Sequence, residues 1–148
     1  MFESKSNGND WWKLTKYLNS RAGQKKLLIV EDQFHTRLLL KTLLTEENYS
    51  LEFAEDSITA LYLAEKSIPD LILLDLILMD NVDGLSLCKQ LRSRPALNHT
   101  LIYVLSGYND TKTKFDVLLA GANDFIEKPF SPIELLEKIS RVRQTNGN

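Results

Sequence analysis

Five short apolar runs recur along the chain, and a longer stretch with helical spacing follows each of them. Leu27-Leu28-Ile29-Val30 is the first run, followed by Ser50–Ala54, Asp70–Leu74, Leu101–Leu105 and Asn123–Glu127. Continuous apolar runs of this length predict strands buried on both faces, because a strand with one wet face alternates instead. From about Phe34 to Glu47, apolar residues at Phe34, Leu38, Leu39, Leu43 and Leu44 predict the first helix. The second runs from Ser57, a suitable N-cap, to Lys66. The third begins at Asp83 or Gly84 and reaches Arg92, with Leu85, Cys88 and Leu91 spaced to face a core. A fourth spans about Asp110 to Ala120 and stops at Gly121. Ser131 caps the last helix, which has Pro132 at its first position and Ile133, Leu136, Ile139 and Val142 turned inward.

Strands alternating with helices in this way predict an α/β fold, a parallel sheet covered on both faces. Right-handed crossovers leave few ways to wind five such units, and the doubly wound, flavodoxin-like order 2-1-3-4-5 fits best. Strands 1 and 3 are then neighbours at the switch point, where a ligand cleft opens.

The chain divides into an extension at residues 1–24, a domain at 25–145 and a tail at 146–148. In the extension, Asp10 can cap a short helix whose Trp11, Leu14, Tyr17 and Leu18 share one face, with Arg21-Ala22-Gly23-Gln24 as its end and connector. That face can pack on the main domain, bind a partner or a second copy, or, with Lys13, Lys16 and Arg21, lie on a membrane surface.

Composition narrows the class. The 148 residues suffice for one domain with its own core. Eighteen Lys and Arg against twenty Asp and Glu give a net charge of −2, so direct binding of nucleic acid is not expected and charge gives no reason to expect an acidic membrane as the main partner. The one cysteine, Cys88, cannot form an internal disulfide, which suits a reducing compartment. No stretch reaches the roughly 20 apolar residues of a membrane span, and the N-terminus lacks the apolar core of a signal peptide. A cytoplasmic protein without a membrane span is expected.

Polar residues at the strand ends carry the candidate chemistry. Strand 1 ends in Glu31-Asp32, strand 3 in Asp75, strand 4 in Ser106-Gly107 and strand 5 in Lys128-Pro129. A parallel sheet places all of these on one edge. Three acids brought together repel one another unless a cation joins them, and hard oxygen donors suit Mg²⁺. A lysine and a hydroxyl opposite that ion would hold phosphoryl oxygens, and Gly107 lets a backbone N–H approach closely. Asp75, at the centre, is the natural nucleophile for an acyl phosphate.

The segments LLIVED, DLILLD, VLSG and GANDFIEKPF, in this order and spacing, resemble the receiver domain of two-component response regulators over about residues 26–144. The resemblance implies that Asp75 accepts phosphate from the phosphohistidine of a sensor histidine kinase or histidine phosphotransfer protein. It implies that Glu31, Asp32 and Asp75 bind Mg²⁺ together with the Ile77 backbone carbonyl. Ser106 matches the switch hydroxyl, Lys128 the lysine on the phosphoryl group and Phe125 the aromatic switch. It also implies a cis bond before Pro129. The family's output surface is the face formed by the fourth helix, fifth strand and fifth helix, for an output protein or for self-association. Catalysis is limited to self-phosphorylation and slow autodephosphorylation, so no further enzyme activity is expected.

Two features depart from the family pattern. Met79 stands where a proline is usual, and Asp83-Gly84 come one residue late, an insertion within Leu78–Val82. Phe125 lacks the hydroxyl of the commoner tyrosine. Bulky Ile77 and Tyr108 beside the site are expected to hinder an attacking water and slow dephosphorylation. Only five residues follow the last helix, so a stand-alone receiver is expected. The alternatives are a receiver-like interaction module that is not phosphorylated and, less favoured, a Mg²⁺-dependent phosphohydrolase. The latter usually has a second aspartate where this chain has Ile77. His35 is expected in the exposed first turn of a helix, His99 in a loop and Cys88 in the core.

Overall fold

The apolar runs lie side by side in a computed structural model that describes residues 24–77 and 83–145. The strands are β1 (Lys25–Val30), β2 (Tyr49–Ala54), β3 (Leu71–Asp75), β4 (Leu101–Ser106) and β5 (Asp124–Glu127), parallel throughout and ordered β2-β1-β3-β4-β5. The helices are α1 (Phe34–Leu44), α2 (Ser57–Ser67), α3 (Gly84–Arg92), α4 (Thr111–Leu119) and α5 (Pro132–Thr145). Both the expected helix around Trp11 and the insertion at Leu78–Val82 lie outside the described residues.

Alternate strand residues feed two apolar layers. Leu28, Val30, Ile72 and Leu74 meet Ala60, Ala64, Leu87 and Leu91 on the side of α2 and α3. Leu27, Ile29, Leu71 and Leu73 meet Leu40, Leu44, Leu135 and Ile139 on the side of α1 and α5. All five residues of β3 are buried, which is why that run contains no alternation.

Packing corrects several helix details. α1 stops at Leu44, and a 3-10 turn at Thr45–Glu47 leads to Asn48 at φ 61°. Leu40 and Leu44 are buried, while Phe34 (62%), Leu38 and Leu39 stand exposed. The helix holds more apolar residues than one face can bury, and contact with the sheet selects the Leu40–Leu44 stripe. Asp56, not Ser57, caps α2: its carboxylate accepts from the Thr59 N–H at 2.8 Å, while Ser57 is buried as the first helical residue. In α5, Ile133 is 79% exposed and the core stripe is Leu135, Ile139 and Val142. Ile139 and Val142 are buried and Leu136 packs on the core as expected, whereas Leu135 takes the inward place expected of Ile133. Ser131 does cap this helix, its hydroxyl accepting from the Glu134 N–H at 3.3 Å. His35 and His99 are exposed, and Cys88 is buried.

Candidate functional site

Register alone brings the acids together. Val30 pairs with Leu74 and Asp75 with Leu105, so Glu31, one residue past Val30, stands level with Asp75. Ser106 pairs with Glu127, which sets Lys128 one step beyond on the neighbouring strand. The backbone ladder continues past the strands: Leu76 N–H donates to Leu105 O at 2.9 Å and Lys128 N–H to Ser106 O at 2.8 Å. The termini that carry side-chain chemistry are thus held as firmly as the sheet itself.

Glu31, Asp32 and Asp75 each offer a carboxylate oxygen, and these lie within 4.8 Å of one another. Lys128 Nζ donates to Glu31 Oε1 and Asp75 Oδ1, both at 3.2 Å. Gln33 N–H donates to Glu31 Oε2 and Ile77 N–H to Asp75 Oδ1, each at 3.3 Å. Glu31 is fully buried. Burial, the hydrogen bond with Asp75 and the charge on Asp75 push its carboxyl up to about 7, with Lys128 pulling the other way. One ammonium does not balance three carboxylates. A hard divalent cation among these oxygens would complete the charge balance, so the donor set fits Mg²⁺.

A cleft of about 360 Å³ opens above this cluster, lined by Asp32, Asp75, Ile77, Gly107, Tyr108 and Lys128 together with Ser106 and Gln33. Ser106 is buried, and its hydroxyl accepts from the Tyr108 N–H at 2.9 Å. The bond between Lys128 and Pro129 is cis. Phe125 stands apart from the cleft. It pairs with Val104 on β4, is half-buried against the layer under α2 and α3, and has Lys114 Nζ 5.7 Å from its ring centroid.

The glycine whose smallness the chain itself demands is Gly84, not Gly107. A Cβ on Gly107 would meet no atom within 4 Å, whereas one on Gly84 would fall 2.5 Å from Asp75 O and 2.6 Å from Leu76 Cα. Gly84 N–H donates to Leu76 O at 2.6 Å, so the N-terminus of α3 rests on the backbone that carries Asp75. The sequence pattern marks Asp83-Gly84 as a helix start and a displaced pair, but nothing local to it reveals a contact with β3. Sequence reasoning also missed Arg92, whose guanidinium donates to Gly121 O, Leu97 O and Asn123 Oδ1 at 2.9–3.0 Å and ties α3 to the turn before β5.

Comparison with known proteins agrees with this fold. The model of the response regulator receiver domain matches residues 27–140. The chain is 34% identical over 135 residues to the transcriptional regulatory protein ResD of Bacillus subtilis, covering 86% of this chain and 55% of that protein. It is 32% identical over 114 residues to the response regulator PleD of Caulobacter vibrioides, covering 77% and 25%. The chain therefore spans about half or less of the length of these relatives. Among solved structures, the chemotaxis protein CheY4 of Vibrio cholerae superposes with TM-score 0.75 at 29% identity, over 80% of this chain and 98% of that one. A two-component response regulator from Clostridium difficile gives TM-score 0.76 at 28% identity, over 83% and 99%. No helix among the described residues is long and apolar enough to cross a membrane.

Proposed function

The chain belongs to the response regulator receiver domain family, and from that premise we propose that it works as a phosphorylation-dependent switch with Asp75 as phosphoacceptor. The observation that carries the reading is the convergence of Asp75, two further carboxylates, Lys128 and Ser106 on one cleft. An Asp75 carboxylate oxygen attacks the phosphorus of a phosphohistidine on a sensor kinase or phosphotransfer protein. The P–N bond breaks, the imidazole leaves with its electron pair, and water supplies the proton that nitrogen takes up. Glu31, Asp32, Asp75 and the Ile77 carbonyl would hold Mg²⁺, which when bound supplies positive charge for the phosphoryl oxygens.

The chain's own groups then divide the work. Lys128 Nζ, already 3.2 Å from Asp75 Oδ1, stays beside the carboxylate and compensates the charge that arrives with phosphate. Gly107 lines the cleft with open space on its side-chain side, and its N–H is proposed to donate to a phosphoryl oxygen. Ser106 holds the Tyr108 N–H in the present state and must exchange that bond for a phosphoryl oxygen to report phosphorylation. Phe125, on the next strand, responds to the resulting shift. The output surface is the α4–β5–α5 face, where Phe115, Leu118 and Leu119 are exposed, and it serves a partner protein or a second copy. Reactions beyond self-phosphorylation and slow autodephosphorylation are not part of this reading, and the lone buried Cys88 suits a reducing cytoplasm.

The test is labelling by a small phosphodonor such as acetyl phosphate. Incorporation is expected to require Mg²⁺ and to vanish in Asp75→Ala. Metal-independent labelling, or labelling that survives the substitution, would overturn the assignment.

A further inference from the structure

α4 is weakly anchored to the sheet. Within it only Val117 is buried, whereas α3 buries Leu87, Cys88 and Leu91. Phe115, Leu118 and Leu119 are exposed. With so little apolar area behind the helix, polar contacts carry a large share of what fixes it and the loop before it. That loop, Gly107–Asp110, also serves the Asp75 cleft, because Gly107 and Tyr108 line it. At its far end Asp110 caps α4, accepting from the Thr113 N–H at 3.0 Å.

Between these ends the loop is tied down twice. The Tyr108 N–H donates to Ser106 Oγ at 2.9 Å, a bond inside the proposed switch. The second tie lies outside it: Asn109 Nδ2 donates to Glu127 Oε2, across 18 residues of chain. Glu127 is the last residue of β5 and immediately precedes Lys128. It stands two residues beyond Phe125, so both side chains leave the same face of the sheet. A carboxylate acceptor makes this hydrogen bond charge-assisted. From α4, Lys114 Nζ lies 5.7 Å from the Phe125 ring centroid and adds a contact to that face. Strand order gives the tie a direction. β4 lies between β3 and β5, so Asp75 and Glu127 stand on opposite sides of the loop. A loop drawn towards a phosphoryl group on Asp75 moves away from Glu127.

We propose, building on the switch reading above, that the Asn109–Glu127 bond is a strap holding the β4–α4 loop back from the phosphoryl site. Phosphate on Asp75 must break it to draw Ser106 and Gly107 across. The strap stabilises the phosphate-free arrangement alone, so it acts as a brake on the switch. Asn109 touches neither metal nor phosphate in this scheme and is a positioning residue that acts through Gly107 and Tyr108. Removing the strap favours the phosphorylated arrangement. Loss of a merely structural bond would do the reverse, because a loosened site binds an anion less well.

Beryllofluoride, a mimic of the phosphoryl group, reads this balance in the presence of Mg²⁺ through the fluorine NMR signal of the bound ion. Asn109→Ala and Glu127→Ala are each expected to lower its half-saturating concentration about three- to tenfold. The double variant should bind no more tightly than the better single one, as expected for one shared bond. Glu127→Gln removes the charge but keeps an acceptor oxygen, so it should bind much as the unsubstituted chain does. Cooperative urea unfolding should be kept in all four variants. Unchanged or weaker binding in either alanine variant, or additive gains in the double variant, would overturn the strap. A gain in Glu127→Gln equal to that in Glu127→Ala would also overturn it, by assigning the effect to lost negative charge. No saturable binding to the unsubstituted chain, or binding that survives Asp75→Ala, would overturn the switch reading and the strap with it, so the two failures are distinguishable.

Discussion

Glu31 is the residue at which burial and charge conflict most directly. Its carboxyl has an ordinary value of 4.5 and stands at about 7 in the fold, raised first by burial and then by Asp75. Between those pH values the folded state holds a proton that the unfolded chain has released. This group's contribution is therefore fully present below about pH 4.5 and is lost as pH rises through 7, a change on the order of 3 kcal/mol. A cation that replaces the proton should reverse the loss. Mg²⁺ is accordingly expected to raise the melting temperature more at about pH 7.5 than at about pH 5.5. An equal rise at both values would show that Glu31 does not take part in metal binding.

Tyr108 presents a second prediction at this scale. It is 58% exposed and lines the cleft with Ile77, so both stand where a hydrolytic water must approach an acyl phosphate on Asp75. Tyr108→Ala is expected to shorten the lifetime of the phosphorylated form several-fold, read as loss of radiolabel after the phosphodonor is removed. A lifetime in the unsubstituted protein equal to that of the denatured acyl phosphate would remove the shielding argument.

Among the elements, α3 sets the position of Asp75, the proposed phosphoacceptor, through its first residue. Gly84 lets the helix N-terminus approach the Asp75 and Leu76 backbone more closely than any side chain permits. Gly84→Ala must push α3 away from β3 or displace the strand end, because the atoms in its way are backbone. The expected cost is about 1–3 kcal/mol in urea unfolding, with a matching fall in acetyl phosphate labelling. Full labelling at unchanged stability would mean that this contact is dispensable. The Arg92 network anchors the other end of α3, so the helix has little freedom to rotate out of the way. Asp83 strengthens the start, its carboxylate accepting from the Ser86 N–H at 2.6 Å.

Considered as a whole molecule, the sheet separates the cleft at one edge from the apolar surfaces on its helices. Leu119, on α4 of the proposed output face, is 69% exposed, a large unpartnered side chain for a helix that already buries Val117. If that face pairs with a second copy, beryllofluoride, which mimics a phosphoryl group, should double the mass in solution, and Leu119→Glu should prevent it. An unchanged mass assigns the face to a different protein. Such coupling requires that the two states make different contacts, and Ser106 with Phe125 is where they differ in this reading.

Strand positions and the identity of the clustered residues could be read from the sequence because they depend on short-range regularities, and the handedness of crossovers then left few strand orders. A parallel strand buried on both faces is apolar throughout, and the residue after it is the one that reaches the edge. Glu31, Asp32, Asp75, Ser106 and Lys128 all occupy such strand-end positions. The helix phase could not be read the same way. α1 and α5 carry more apolar residues than one face buries, so only packing against the sheet chose Leu40 over Leu39 and Leu135 over Ile133. The cap of α2 passed from Ser57 to Asp56 for the same reason, since neighbouring residues compete and the tertiary fold decides which lies outside the helix. Gly84 and Arg92 act across 9 and 29 residues of chain, on Asp75 and Gly121 respectively. Local pattern determined what the edge of the sheet would carry, and three-dimensional packing determined how closely those groups are held, because close approach is a property of pairs that the sequence keeps apart.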